Sequence, residues 1–306
     1  MTFEAEPFAR SFLSRWGMTP ESLVRHGPPV REGECLALMG SIVEGLANEQ
    51  SDIDLLYLGD GELKDKIVIS FRNAYKFGVS HDENGYEINV EQLDGEALAS
   101  MSEGMARSLY TLDHPREAKD IAVERDAMRL RMIHRVRTCV PLVNPEVLAD
   151  WRRRLRTDEF PQFLLHTHME NLLNQQEDIV GELQSGNFRS ALWMAKTTYA
   201  PRLVAAMLAA AGETNQYVKW HFKLLERHRD AIGADLVDAV LGFMTREGPD
   251  TPEALLAELT AISEPVMRTV FERHRKVRRA VLAFSQTVRY NGFLNPDRWE
   301  RKPVAV

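Results

Sequence analysis

The chain has 306 residues, with 38 Lys+Arg against 45 Asp+Glu and a net charge of −7. At about 150 residues per domain this length predicts roughly two domains. A hydrophobic content of 44% and a charged content of 27% exclude a collagen-like, low-complexity or largely disordered chain. The acidic balance argues against general coating of nucleic acid, which needs a broad basic surface. Cys35 and Cys139 are the only cysteines, too few for a disulfide framework or a four-thiolate zinc site. Met1 to Gly17 has no apolar run of the signal-peptide kind. The longest apolar run, Leu203 to Ala211, is too short to cross a bilayer. The expectation is a soluble cytoplasmic protein with no membrane partner.

In chain order, the first third mixes short apolar runs with glycine-rich breaks. It predicts a helix over Ala5–Arg15, a strand over Cys35–Met39 and a short helix over Ile42–Asn48. Strands follow over Ile53–Leu58, Lys66–Phe71 and Tyr86–Leu93, with turn signals at Gly59-Asp60-Gly61 and Glu83-Asn84-Gly85. From about Asp113 the pattern turns helical. The expected helices are Glu117–Val140, Glu146–Arg156, Pro161–Leu183, Phe188–Gly212, Tyr217–Ile232, Leu236–Thr245, Pro252–Ser263 and Pro265–Thr287.

The most informative stretch is Leu36-Ala37-Leu38-Met39-Gly40-Ser41, followed by Ser51-Asp52-Ile53-Asp54-Leu55. A strand ending at Gly40 lets the backbone approach a ligand closely. Ser41, opening a helix, offers free N–H groups and a hydroxyl to a phosphate. Asp52 and Asp54 alternate with Ile53, so both carboxylates face one way. Two adjacent carboxylates in an apolar context repel each other, and divalent cations remove that repulsion. Oxygen ligands beside substrate phosphates are the usual surroundings of Mg²⁺.

These residues resemble the nucleotidyltransferase superfamily with the polymerase-β-type palm: a hydrophobic strand, Gly-Ser, a spacer of about ten residues, then Asp-x-Asp with apolar flanks. The resemblance implies an α+β fold, with a small mixed-sheet palm over residues 1–112 followed by an all-α helical bundle over 113–306. It also implies a third acid on a neighbouring strand. In Tyr86-Glu87-Ile88-Asn89-Val90-Glu91-Gln92, alternation puts Glu87, Asn89 and Glu91 on one face. Asn89 stands where an Asp is common, so the third role falls to Glu91 or Glu87. Glu91 is preferred because it lies close before the helix start at Asp94-Gly95-Glu96.

The two-part layout resembles antibiotic nucleotidyltransferases of the aminoglycoside type. By that resemblance Lys196 and Tyr199, three apart on one helix, and Lys219 of Lys219-Trp220 contact the triphosphate, while Glu170 or Glu177 takes the acceptor's proton. His166-Thr167-His168 lacks metal-site spacing and reads as surface or packing histidines. The runs Arg152–Arg154 and Arg273–Arg279 read as solvated helix faces paired with acids.

The implied activity is Mg²⁺-dependent transfer of a nucleoside monophosphate, AMP from ATP before the other NTPs. Two Mg²⁺ ions are expected on Asp52, Asp54 and Glu91, with Gly40 and Ser41 cradling the phosphates. The acceptor is a hydroxyl of a small molecule lying between the two domains. The alternatives are transfer to tRNA or protein, with nucleic acid disfavoured by the charge, and a palm that binds nucleotide without catalysis.

Overall fold

The computed structural model describes residues 5–15, 17–63, 67–71, 75–81, 86–117, 121, 123–287 and 292–294. They form helices α1 (Ala5–Arg15) and α2 (Pro20–Val24), then strands β1 (Cys35–Met39), β2 (Ile53–Leu58), β3 (Ile67–Phe71), β4 (Tyr75–His81) and β5 (Glu87–Leu93). Helix α3 (Gly95–Asp113), helix α4 (Ala127–Thr138), strand β6 (Val140–Val143) and helix α5 (Pro145–Arg154) follow. The remainder is helical: α6 (Phe160–Gln184), α7 (Phe188–Met194), a π-helical turn (Ala195–Tyr199), α8 (Ala200–Ala210), a 3₁₀ turn (Val218–Trp220), α9 (His221–Arg227), α10 (Arg229–Ile232), α11 (Ala234–Thr245), α12 (Pro252–Arg273) and α13 (Arg275–Thr287). The chain divides into two compact units, one of residues 1–106 and 123–158, the other of residues 107–122 and 159–306.

The first unit is built on a mixed six-stranded sheet of order β3-β4-β5-β2-β1-β6. β2 and β5 run parallel and the other neighbours antiparallel. Alternation sends Leu36, Leu38, Ile53, Leu55, Tyr57, Ile88 and Val90 into one buried cluster with Phe12 and Leu13 of α1 and Leu23 of α2. The opposite face carries Asp54, Asn89 and Glu91, which share a parity with one another in the β2–β5 register. α2 starts on a reciprocal cap: Thr19 Oγ1 accepts from the Ser22 amide at 3.2 Å, and Ser22 Oγ accepts from the Thr19 amide at 3.0 Å.

The short helix expected over Ile42–Asn48 is a run of turns, held by the amides of Leu46 and Ala47 on the Ser41 carbonyl at 2.8 and 3.0 Å. Strands β4 and β6 are additions to the expected set. β6 carries Pro141, which has no N–H to give, and an edge position tolerates that loss. The sequence reading puts the domain boundary at 112/113, whereas residues 123–158 belong to the first unit because β6 pairs with β1 there. The Glu117–Val140 helix begins only at Ala127, where the Asp126 carboxylate accepts from the Met128 and Arg129 amides at 2.9 and 3.2 Å. The turn signal at residues 83–85 lies outside the described residues.

In the second unit, Tyr199 is fully buried. Its hydroxyl accepts from Gln176 Nε2 at 2.9 Å and lies 2.7 Å from Ser263 Oγ. One helix, α12, replaces the two expected on either side of Glu264. Pro265 gives up a backbone bond, yet Ile262, Ser263, Val266 and Met267 around it are all buried. Burial on both sides outweighs that loss, and the break falls at His274 instead. Of the basic runs, Arg153 and Arg154 pair with Asp150 at 2.6 and 2.7 Å, and Lys276 pairs with Asp113 at 2.8 Å. Among the described residues no helix is long and apolar enough to cross a membrane.

Candidate active site

β1 delivers the chain to Gly40, and β2 returns it antiparallel with Met39 opposite Asp54. Gly40 has φ +78°, a backbone that side-chain-bearing residues rarely adopt. A Cβ built there would overlap Asp54 Oδ2 and stand 3.1 Å from Asp54 Cγ. The glycine is therefore required twice, by its dihedral and by the carboxylate packed against it. Gly40→Ala is expected to cost about 1–3 kcal/mol of stability and to displace Asp54. Chemical denaturation and metal titration of that variant check both effects.

Asp52 stands just before β2 with an exposed side chain, while Asp54 is partly buried. Asn89 lies directly across the parallel pair from Asp54 and is 3% exposed. Its Nδ2 donates to Asp52 Oδ2 at 2.7 Å. Its Oδ1 is buried with no hydrogen-bond partner. Burial, followed by the charge of Asp52, raises the Asp54 carboxyl from 3.8 to about 6. Arg135, Arg131 and Asn89 work against that rise.

The expected third acids stand elsewhere. Glu91 lies one step further along the register, opposite Leu56, and is 1% exposed. It is ion-paired with buried Arg135, and Arg131 Nη2 stands 3.6 Å from it. Glu87 is exposed and sits opposite His81 of β4. The residue brought beside the two aspartates is Asn89, which sequence reasoning set aside because it carries no charge. Arg131 and Arg135, which the sequence reading did not single out, stand by Glu91 and act on Asp54 by their charge. Their spacing of four on a predicted helix puts them on one face and is the signal that could have found them. His134 Nε2 of α4 stands 3.2 Å from Glu44 Oε1, tying the turn after Ser41 to α4.

This donor set fits a divalent cation: two carboxylates, an unpartnered amide oxygen, and a glycine that leaves room next to them. Among the described residues no group of three or more His, Cys, Asp or Glu is placed to hold a metal. The fit rests on Asn89 supplying a neutral oxygen.

The three residues expected at the triphosphate all belong to the second unit. Tyr199 is sealed in its core. Lys196 Nζ donates to the Arg246 carbonyl and lies 5.7 Å from the Phe243 ring. Lys219 is exposed and lies 4.8 Å above the Trp220 ring. Glu170 and Glu177 are partly buried on α6, with Glu170 Oε1 3.5 Å from His166 Nε2.

Residues 28–97 match the family model described as "Nucleotidyltransferase domain". This segment holds Gly40, Ser41, Asp52, Asp54, Asn89 and Glu91. The protein is a transferase. Among solved structures, the chain is similar to a nucleotidyltransferase-like protein from Exiguobacterium sibiricum 255-15, at 12% identity and a TM-score of 0.38, over 97% of this chain and 81% of that one. No curated protein sequence matches it. Within the matched segment, the two aspartates sit where β1 and β2 meet, and the residue opposite Asp54 on β5 is an amide.

Proposed function

We propose that the protein transfers a nucleoside monophosphate, AMP from ATP before other NTPs, to a hydroxyl of a small molecule and releases pyrophosphate. The observation that carries this is Asp52, Asp54 and the unpartnered Asn89 oxygen meeting beside Gly40 within the matched nucleotidyltransferase segment. The acceptor oxygen bonds to the α-phosphorus, the bond from that phosphorus to pyrophosphate breaks, and the acceptor proton leaves to solvent. Bound Mg²⁺ would neutralise phosphate charge and stabilise the entering and leaving oxygens. Asp52, Asp54 and Asn89 Oδ1 would hold it. Gly40 leaves the phosphates room at the turn. Glu91 is neutralised by Arg135 and takes no proton from the acceptor. Its role is to fix Arg135 and Arg131, whose charges favour the ionised form of Asp54. Catalysis of this kind is mainly positioning and charge neutralisation.

A small acceptor is supported by the acidic net charge and by the palm-then-bundle order of antibiotic nucleotidyltransferases, which this chain resembles. A second reading, transfer to tRNA, is favoured by one observation. Lys219 and Lys223 lie 4.8 and 5.0 Å from the Trp220 ring, with Val218 and Phe222 exposed beside them, a basic and aromatic surface of the kind that stacks single-stranded bases.

The test is pyrophosphate release from each of the four NTPs with Mg²⁺, against a panel of hydroxylated antibiotics and bulk tRNA. Release with ATP and one small acceptor is the expected result. Release with tRNA alone selects the second reading, and no release with any acceptor contradicts both. Asn89→Asp is expected to tighten divalent-cation binding about tenfold or more by adding a third carboxylate. Calorimetric Mn²⁺ titration measures this, and unchanged affinity removes Asn89 from the metal set.

A further inference from the structure

The second unit contains a cavity that the transfer reaction does not use. One wall is the end of α3 with the turn after it, Asp113 to Glu117, and the other is a face of α13. Both walls belong to the same compact unit. Lys276 Nζ of α13 stands 2.8 Å from Asp113 Oδ1 and fixes the walls beside each other. The turn holds its own shape. The Glu117 amide donates to the His114 carbonyl at 3.1 Å. The Tyr110 ring stacks on His114 at 4.5 Å, and the Tyr110 hydroxyl donates to Glu117 Oε2 at 3.1 Å. Arg279, Leu282 and Ala283 lie at i, i+3 and i+4 on α13 and so share the face that lines the cavity. The cavity volume is about 340 Å³, and small-molecule sites run from about 300 to 1,000 Å³.

Charge decides what fits. Asp113 is engaged by Lys276, and Glu117 by a neutral hydroxyl. Arg116 and Arg279 line the cavity, are exposed, and have no ion-pair or hydrogen-bond partner among the described residues. With Lys276 counted, three cations stand against two acids, an excess of one positive charge. Beside them Leu282, Ala283 and Pro115 present apolar surface. A ligand that suits both parts carries one negative charge on an apolar body. We propose that this cavity binds a small carboxylate, with its charged group on Arg116 and Arg279 and its apolar body against Leu282, Ala283 and Pro115. Guanidinium forks hold carboxylate oxygens in charge-assisted hydrogen bonds, and the body removes apolar surface from water. Bare phosphate suits the cavity less, because it leaves that surface uncovered. A metal ion does not suit it, because both acids are engaged and two free guanidinium groups repel a cation. The cavity shares no residue with the candidate active site.

The experiment is calorimetric titration of the full chain with 2-naphthoate at pH 7.5 in EDTA. Two partial probes run beside it: 2-naphthalenemethanol keeps the body without the charge, and acetate keeps the charge without the body. Saturable one-to-one binding of 2-naphthoate is expected, with both partial probes at least about tenfold weaker. Arg116→Met together with Arg279→Met should weaken 2-naphthoate at least about tenfold, with an unchanged melting temperature, since neither arginine holds another part of the fold. Ala283→Phe, which fills the apolar side, should block binding as well. Asp52→Asn/Asp54→Asn should leave it intact, which separates this site from the proposed transfer centre. 2-Naphthyl phosphate should bind no more tightly than 2-naphthoate; tighter binding would assign the cavity to a doubly charged group and overturn the carboxylate. No saturable binding of 2-naphthoate by the parent overturns the proposal. So does equal affinity for 2-naphthoate and the alcohol, binding that survives the double arginine change, or binding that is lost in the aspartate variant.

Discussion

Asp52→Asn together with Asp54→Asn is expected to reduce nucleotidyl transfer by about a thousandfold or more, because cation-assisted charge stabilisation is worth several kcal/mol at such a site. The same change should make the metal-free protein more stable. Asp54 carries a carboxyl raised from 3.8 to about 6. The folded state therefore holds its proton more tightly than the unfolded chain does. Below pH 3.8 both states are protonated and the group costs the fold nothing. Between 3.8 and about 6 the cost grows, and above 6 it is fully present. At about 1.4 kcal/mol per pK unit it amounts to about 3 kcal/mol. Asp54→Asn alone should therefore raise stability at pH 7.5 in EDTA by about that amount, with the gain vanishing near pH 4. Urea denaturation at the two pH values, beside pyrophosphate-release assays, gives both readings. A variant that is inactive and also less stable at pH 7.5 would mean that Asp54 is a structural carboxylate.

The second large effect is expected at Arg135. It is 5% exposed and pairs with Glu91, which is 1% exposed. Arg135→Met would leave Glu91 as a buried carboxylate with only Arg131 at 3.6 Å. Breaking a buried pair from one side costs about 3–5 kcal/mol. Replacing both members with apolar residues, Arg135→Met with Glu91→Leu, should recover most of that loss, because the desolvation of both charges disappears with them. The double variant should then fold but hold Asp54 in its protonated form to higher pH, since Arg135 opposes the rise there. A loss below about 1 kcal/mol for the single change would show that Glu91 is solvated or protonated in the fold.

The junction of β1 and β2 was legible in the sequence because three local signals agree: an apolar strand, a glycine at its end and alternating aspartates. Asn89 was not legible as a site residue. Its importance lies in register, with Asp54 facing Asn89 rather than Glu91, and a single sequence shows alternation along one strand but not which residue stands opposite which. The search for a third acid also favoured charge, whereas the residue that stands opposite Asp54 is an amide. β6 was hidden by Pro141 and by its position after a helical pattern; only its pairing with β1 makes it a strand. Lys196 and Tyr199 illustrate a different limit. Three residues apart on an α-helix they share a face, but Ala195–Tyr199 is a π-helical turn, whose wider spacing changes which side chains align. Tyr199 goes inward to Gln176 and Ser263, and Lys196 goes to the Arg246 carbonyl.

On the proposed reading, Asp52, Asp54 and Asn89 together hold a divalent cation. Electron paramagnetic resonance of Mn²⁺ titrated into the protein, with and without a non-hydrolysable ATP analogue, tests it most directly. The prediction is stoichiometric Mn²⁺ binding that tightens with the analogue, competes with Mg²⁺, and is lost in the Asp52→Asn/Asp54→Asn variant. Mn²⁺ binding of equal strength in the parent and in that variant would contradict it.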